Sequence, residues 1–150
     1  MRKSKTNNMK RIVTIIICGF TFGATVQLET AEIVARSIYY ANSELHDGVN
    51  FYVSEIETIK EGDLDLIYIF HLNPEGFIMV PADDQAVPNL AFGFDHSFES
   101  ENMPHNLQAL IDQYKMELQT LINNQAEPSD ELTEKWDYYL SGNVLPSRDR

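Results

Sequence analysis

Few groups in this 150-residue chain could do chemistry: one cysteine, four histidines and a scatter of carboxylates. Cys18 lies in an apolar run near the amino terminus, so no thiol stands in the body of the chain. His46, His71, His96 and His105 are far apart, and no two have the His-x-x-x-His spacing that puts paired imidazoles on one helix face for a metal. Asp83 and Asp84 are adjacent, but general acid–base catalysis needs two groups whose surroundings separate their pKa values, and adjacency alone does not supply that. Beside a turn, such aspartates more often accept backbone N–H groups. A metal site built from Asp83, Asp84, His96 and His105 would make the chain a small metal-dependent enzyme, and local backbone bonding is the plainer reading. No serine sits in a Gly-x-Ser-x-Gly elbow, and no glycine-rich loop is present to cradle phosphate. No catalytic residue, cofactor-binding residue or metal ligand is assigned, and the expectation is a binding or structural domain, not an enzyme.

The elements that would position these groups follow from periodicity. Ile33, Val34, Ala35, Ile38 and Ala41 recur at helical spacing, with Thr30 placed to cap the first turn and the helix ending near Asn42. Residues 49–59 are β-branched and aromatic with rough alternation, an extended segment. Residues 64–72 and 77–80 are strand-like runs joined by Asn73-Pro74-Glu75-Gly76, a hairpin. Leu66, Tyr68 and Phe70 should share one face, and Ile67, Ile69 and His71 the other. Both faces are largely apolar, which predicts a central position or a helix laid across the sheet. A further strand fits residues 89–94. Leu107, Leu110, Ile111, Tyr114, Leu118, Leu121 and Ile122 fall three and four apart, predicting a long amphipathic helix. A shorter one is expected over residues 130–140, with Leu132, Trp136 and Leu140 on one stripe and acids in its first turn. The fold class is α+β: a small antiparallel sheet packed against a long amphipathic helix, with an N-terminal and a C-terminal helix.

Charge is distributed unevenly. The formal net charge is −12, yet Arg2, Lys3, Lys5, Lys10 and Arg11 precede every acid; without them six bases face 23 acids, a net of −17. Such a surface repels phosphate backbones and argues against nucleic-acid binding, while a basic protein partner or simple solubility suits it. The basic start followed by the apolar residues 12–24 has the layout of a secretory signal, too short to span a bilayer comfortably. Residues 1–26 are read as a signal peptide cleaved around residues 23–27, residues 27–140 as one domain and residues 141–150 as a linker-like tail. A secreted or periplasmic location follows, with no stable membrane association after cleavage and no cysteine in the mature chain.

One ordered set of residues resembles the propeptide of the streptopain family of secreted bacterial cysteine peptidases, and the stand-alone inhibitors that look like that propeptide. The set comprises Ile67-Tyr68-Ile69-Phe70, Gly76-Phe77-Ile78-Met79-Val80 with Ala82-Asp83-Asp84 after it, Pro88, residues 90–94, Ser97-Phe98 and Asn102-Met103-Pro104-His105-Asn106-Leu107 before the helix through Tyr114. The resemblance spans roughly residues 30–122. Glu75, Pro81 and Ala91-Phe92-Gly93-Phe94 depart from the family's usual residues. The resemblance implies a chain that occupies a streptopain-like cysteine peptidase noncovalently, with an asparagine from the loop before the long helix in the substrate cleft. Aligned through Tyr114, that asparagine is Asn106, and Met103, Pro104, His105 and Leu107 join it as partner-binding residues. The same residues also suit a purely structural role, Asn106 capping the helix and Met103, Pro104 and Leu107 stapling the loop to its own core. The peptidase domain is absent from this chain, so a propeptide remnant of a peptidase that lost its catalytic domain is the alternative to a stand-alone inhibitor.

Overall fold

The computed structural model describes residues 24–46 and 50–142. Residues 1–23 of the expected signal (1–26) and residues 143–150 of the expected tail (141–150) lie outside the described residues. Helix α1 (Leu28–Ala41) is followed by a single 3-10 turn, strands β1 (Val53–Glu61), β2 (Leu64–Leu72), β3 (Phe77–Pro81) and β4 (Ala91–Gly93), then helices α2 (His105–Asn124) and α3 (Asp130–Leu140). The strands form one antiparallel sheet in sequence order, and Ile56, Phe70, Ile78 and Phe92 align across all four. The expected α+β architecture is thus observed, with β2 and β3 central as their two apolar faces require.

The sheet separates two cores. On one face α1 and α3 pack on Tyr68, Phe70, Ile78 and Val80; on the other α2 packs on Ile67, Ile69 and Met79. Leu66 was expected beside Tyr68 and Phe70 but joins the α2 side. The register between Ile59↔Ile67 and Lys60↔Asp65 leaves Leu66 as an extra residue, and such a bulge resets the alternation.

Helix α1 buries Val34, Ala35 and Ile38 as expected, together with Ala31, Ser37 and Tyr39, while the expected Ile33 and Ala41 face solvent instead. Thr30 does not cap it. The helix starts at Leu28, one turn earlier, after Gln27, with no side-chain cap. Helix α2 buries only Ile111 and Leu118 completely; Leu107, Tyr114, Leu121 and Ile122 are half-buried and Leu110 is exposed. Its hold on the sheet is therefore weaker than seven fully buried side chains would give, and it is supplemented by the Tyr114 hydroxyl donating to the Leu90 carbonyl at 3.0 Å. Helix α3 is capped by Ser129, whose Oγ accepts from the Leu132 N–H, and carries Asp130 and Glu131 in its first turn. It is fixed by two long-range bonds: the Trp136 indole N–H donates to the Ala86 carbonyl at 2.9 Å, and the Ser37 hydroxyl of α1 donates to the Tyr139 carbonyl at 2.6 Å.

Gly76 closes the β2–β3 connection at φ +116°, where a Cβ would stand 2.8 Å from the Gly93 carbonyl oxygen. Only glycine fits that conformation and that approach.

Candidate partner-binding loop

The loop from β4 into α2 is held at two levels. Phe98 is buried against the Phe77 ring, centroids 5.5 Å apart, and Met103 and Leu107 are half-buried against the same core. Pro104, His105 and Asn106, between those two anchors, are exposed. The loop thus divides by side chain, with Met103 and Leu107 turned to their own core and the three residues between them turned to solvent. Beside them Phe77, Phe98, Asn102, Pro104 and Leu107 line a recess of about 400 Å³.

Helix α2 begins at His105, with Pro104 as its N-cap at φ −56° and ψ 146°. Asn106 is therefore the second helical residue, not the cap, and no side chain caps this end. The reason is geometric: a capping side chain acts from extended backbone one position before the first helical residue, which Pro104 occupies without a polar group to offer. The first intrahelical bond at this end runs from the Gln108 N–H to the Pro104 carbonyl, so the N–H groups of His105, Asn106 and Leu107 precede the helical ladder. An exposed carboxamide and free backbone donors occupy one short, stiff, apolar-flanked turn. Such a turn can hydrogen-bond inside a cleft at lower desolvation cost than a charged side chain.

The chemistry-bearing residues lie elsewhere and are used locally. Asp83 is buried and its Oδ1 accepts the Gln85 N–H at 2.9 Å, an Asx-type turn. Asp84 Oδ1 accepts the Ala24 N–H at 2.7 Å. Burial holds the Asp84 carboxyl above the usual carboxylate range, opposed by the Ala24 bond and reinforced by neighbouring Asp83. His46 stacks on Tyr39 with ring centroids 3.8 Å apart, His71 meets Glu57 at 3.3 Å on the sheet, and His96 meets Asp95 at 2.7 Å in solvent. Among the described residues no three His, Cys, Asp or Glu side chains are grouped to hold a metal ion. Sequence reasoning left Met103, Pro104 and Leu107 open between a partner and their own core; Met103 and Leu107 join the core and Pro104 does not, a division that hydrophobic type alone does not give.

The model of the Spi protease inhibitor family matches residues 23–118, a span that contains the whole sheet and the loop. The thiol protease/hemagglutinin PrtT of Porphyromonas gingivalis is 30% identical over 70 residues, 46% of this chain and 8% of that protein. The chain therefore corresponds to a small part of that relative's length. No solved structure matches.

Proposed function

The chain belongs to the Spi protease inhibitor family, and from that premise we propose that it is a secreted protein that blocks the substrate cleft of a streptopain-like cysteine peptidase noncovalently. The observation that carries this is the exposed Pro104-His105-Asn106 turn between the anchored Met103 and Leu107, inside the span that matches the family. Asn106 enters the cleft and satisfies polar groups there, while Pro104 stiffens the loop and lowers the ordering cost of binding. Met103 and Leu107 act mainly by holding the turn in shape, and His105 lies at the edge of the contact.

The likeness to part of a thiol protease favours a second reading at the level of origin, in which the chain is a propeptide remnant that retains the same contact. A peptidase coding region in another frame downstream would mark a remnant, and a separate adjacent peptidase gene an inhibitor.

The test is residual hydrolysis by a streptopain-like peptidase incubated with the protein at micromolar concentration. Inhibition is expected, and Asn106→Lys should weaken it by at least tenfold, about 1.4 kcal/mol, with the fold unchanged by circular dichroism. No inhibition by the parent would overturn the function; equal potency of parent and Asn106→Lys would overturn the role of Asn106 alone.

A further inference from the structure

Residues 24–26 belong to the folded body although they fall within the stretch expected to be removed. Thr25 pairs with Asp83 in an isolated antiparallel bridge, the Val26 N–H donates to the Ala82 carbonyl at 2.9 Å, and the Val26 side chain is buried in the α1 core. The Tyr68 hydroxyl donates to the Val26 carbonyl at 3.1 Å, so the segment is bonded through both backbone and side chain. Removal of the chain beyond Ala24 would therefore strip a docked segment from Ala82, Asp83 and Asp84, just past the end of β3. At its start, Ala24 and Asp84 face each other in a reciprocal pair: the Ala24 N–H donates to Asp84 Oδ1 at 2.7 Å and the Asp84 N–H donates to the Ala24 carbonyl at 3.2 Å.

We propose that the chain is processed immediately before Ala24, and that the half-buried Asp84 carboxylate is the receptor for the new α-ammonium group. The step is peptide hydrolysis by an export peptidase. Water adds its hydroxyl to the carbonyl carbon of the preceding residue, the C–N bond breaks, and the Ala24 nitrogen keeps the bonding electron pair and is protonated to the ammonium at neutral pH. With the nitrogen where it now stands, a neutral N–H···O bond becomes an ion pair of the same length. Ala24 and Asp84 line one recess of about 300 Å³ with Thr30, Thr133 and Asp137, which is open enough for water to serve the remaining ammonium protons. The charged groups around the pair are Asp83 in the preceding position and Asp137 of α3, both acidic, so the cation relieves a locally negative site. Processing before Ala24 rests on the export proposed above and does not depend on the binding of a peptidase.

The full chain, expressed with its leader in an exporting bacterial host, should yield a product whose amino-terminal residue by sequencing and intact mass is Ala24. A product starting elsewhere overturns the processing site. The receptor role is tested by titrating the Asp84 carboxyl by ¹³C NMR in residues 24–150 with a free amino terminus and in the same chain N-acetylated, which restores the amide. The expected result is a lower titration midpoint with the free amine, together with a thermal unfolding midpoint about 2 °C higher that disappears in Asp84→Asn. Equal Asp84 midpoints in the free and acetylated chains overturn the ion pair, and they do so even where Asp84→Asn proves unstable.

Discussion

Helix α3 lies wholly beyond the span that matches the family, yet it packs into the same core as α1. The perturbation that tests this is Trp136→Phe. Trp136 is 5% exposed and its indole N–H donates to the Ala86 carbonyl at 2.9 Å, between residues that are themselves buried. Phenylalanine keeps most of the apolar contact and removes the donor, leaving a carbonyl in a dry site with its desolvation uncompensated, a cost of about 1–3 kcal/mol. For a chain of this size that corresponds to a fall in Tm of roughly 3–9 °C. Trp136→Ala adds a cavity and should cost about 3–5 kcal/mol. The assay is equilibrium urea unfolding followed by far-ultraviolet circular dichroism, since Trp136 is the sole tryptophan and its removal eliminates the fluorescence signal. Tyr138→Phe, on the exposed side of the same helix, is the control and should change stability by under about 0.5 kcal/mol. If Trp136→Phe unfolds at the same urea concentration as the parent with the same slope, α3 is not docked as described and the reasoning fails.

Three other outcomes are expected. Gly76→Ala should destabilise by more than about 2 kcal/mol, because it combines a φ of +116° with a Cβ 2.8 Å from the Gly93 oxygen. Gly62→Ala, at φ +59° with open space around it, should cost only about 1 kcal/mol by the same denaturation measurement. In the N-acetylated chain from residue 24, the raised Asp84 carboxyl favours the folded state at low pH. That contribution is complete below the unfolded value near 3.8 and is lost as pH rises through the higher folded value, so a plot of Tm against pH should lose this downward component in Asp84→Asn. Met103→Ala should lower stability by about 1–2 kcal/mol while Asn106→Ala leaves it within about 0.5 kcal/mol in a thermal melt, separating the side chain that builds the turn from the one it presents.

What could be seen in the chain beforehand was set by local chemistry. The three- and four-residue spacing from Leu107 to Ile122 gave α2, the acids Asp130 and Glu131 marked the first turn of α3, and Asn73 to Gly76 marked the central hairpin, whereas the Ser129 cap emerged only with the structure. Long-range demands were not legible. Nothing near Thr30 says that α1 begins a turn earlier at Leu28, because that start is fixed by Val26 docking against Ala82. The bulge at Leu66 depends on how β1 pairs with β2, and the bond from Ser37 to Tyr139 joins residues 102 positions apart. The same limit applied to the loop: the sequence offered Met103 and Leu107 equally to a partner and to the core, and only the packing of Phe77, Phe98 and Ile111 decides where those two side chains rest.

The two-sided sheet has a consequence for how such a protein can diversify. The loop that presents Asn106 is rooted in the α2 core, whereas the amino-terminal segment and α3 are rooted in the α1 core, with β2 and β3 as the wall between them. Substitutions in the loop can be accommodated by adjustments among Met79, Phe98 and Ile111 without disturbing Val34, Ile38 or Trp136. The proposed contact can drift on one side while the proposed processing site and the C-terminal brace stay constant on the other.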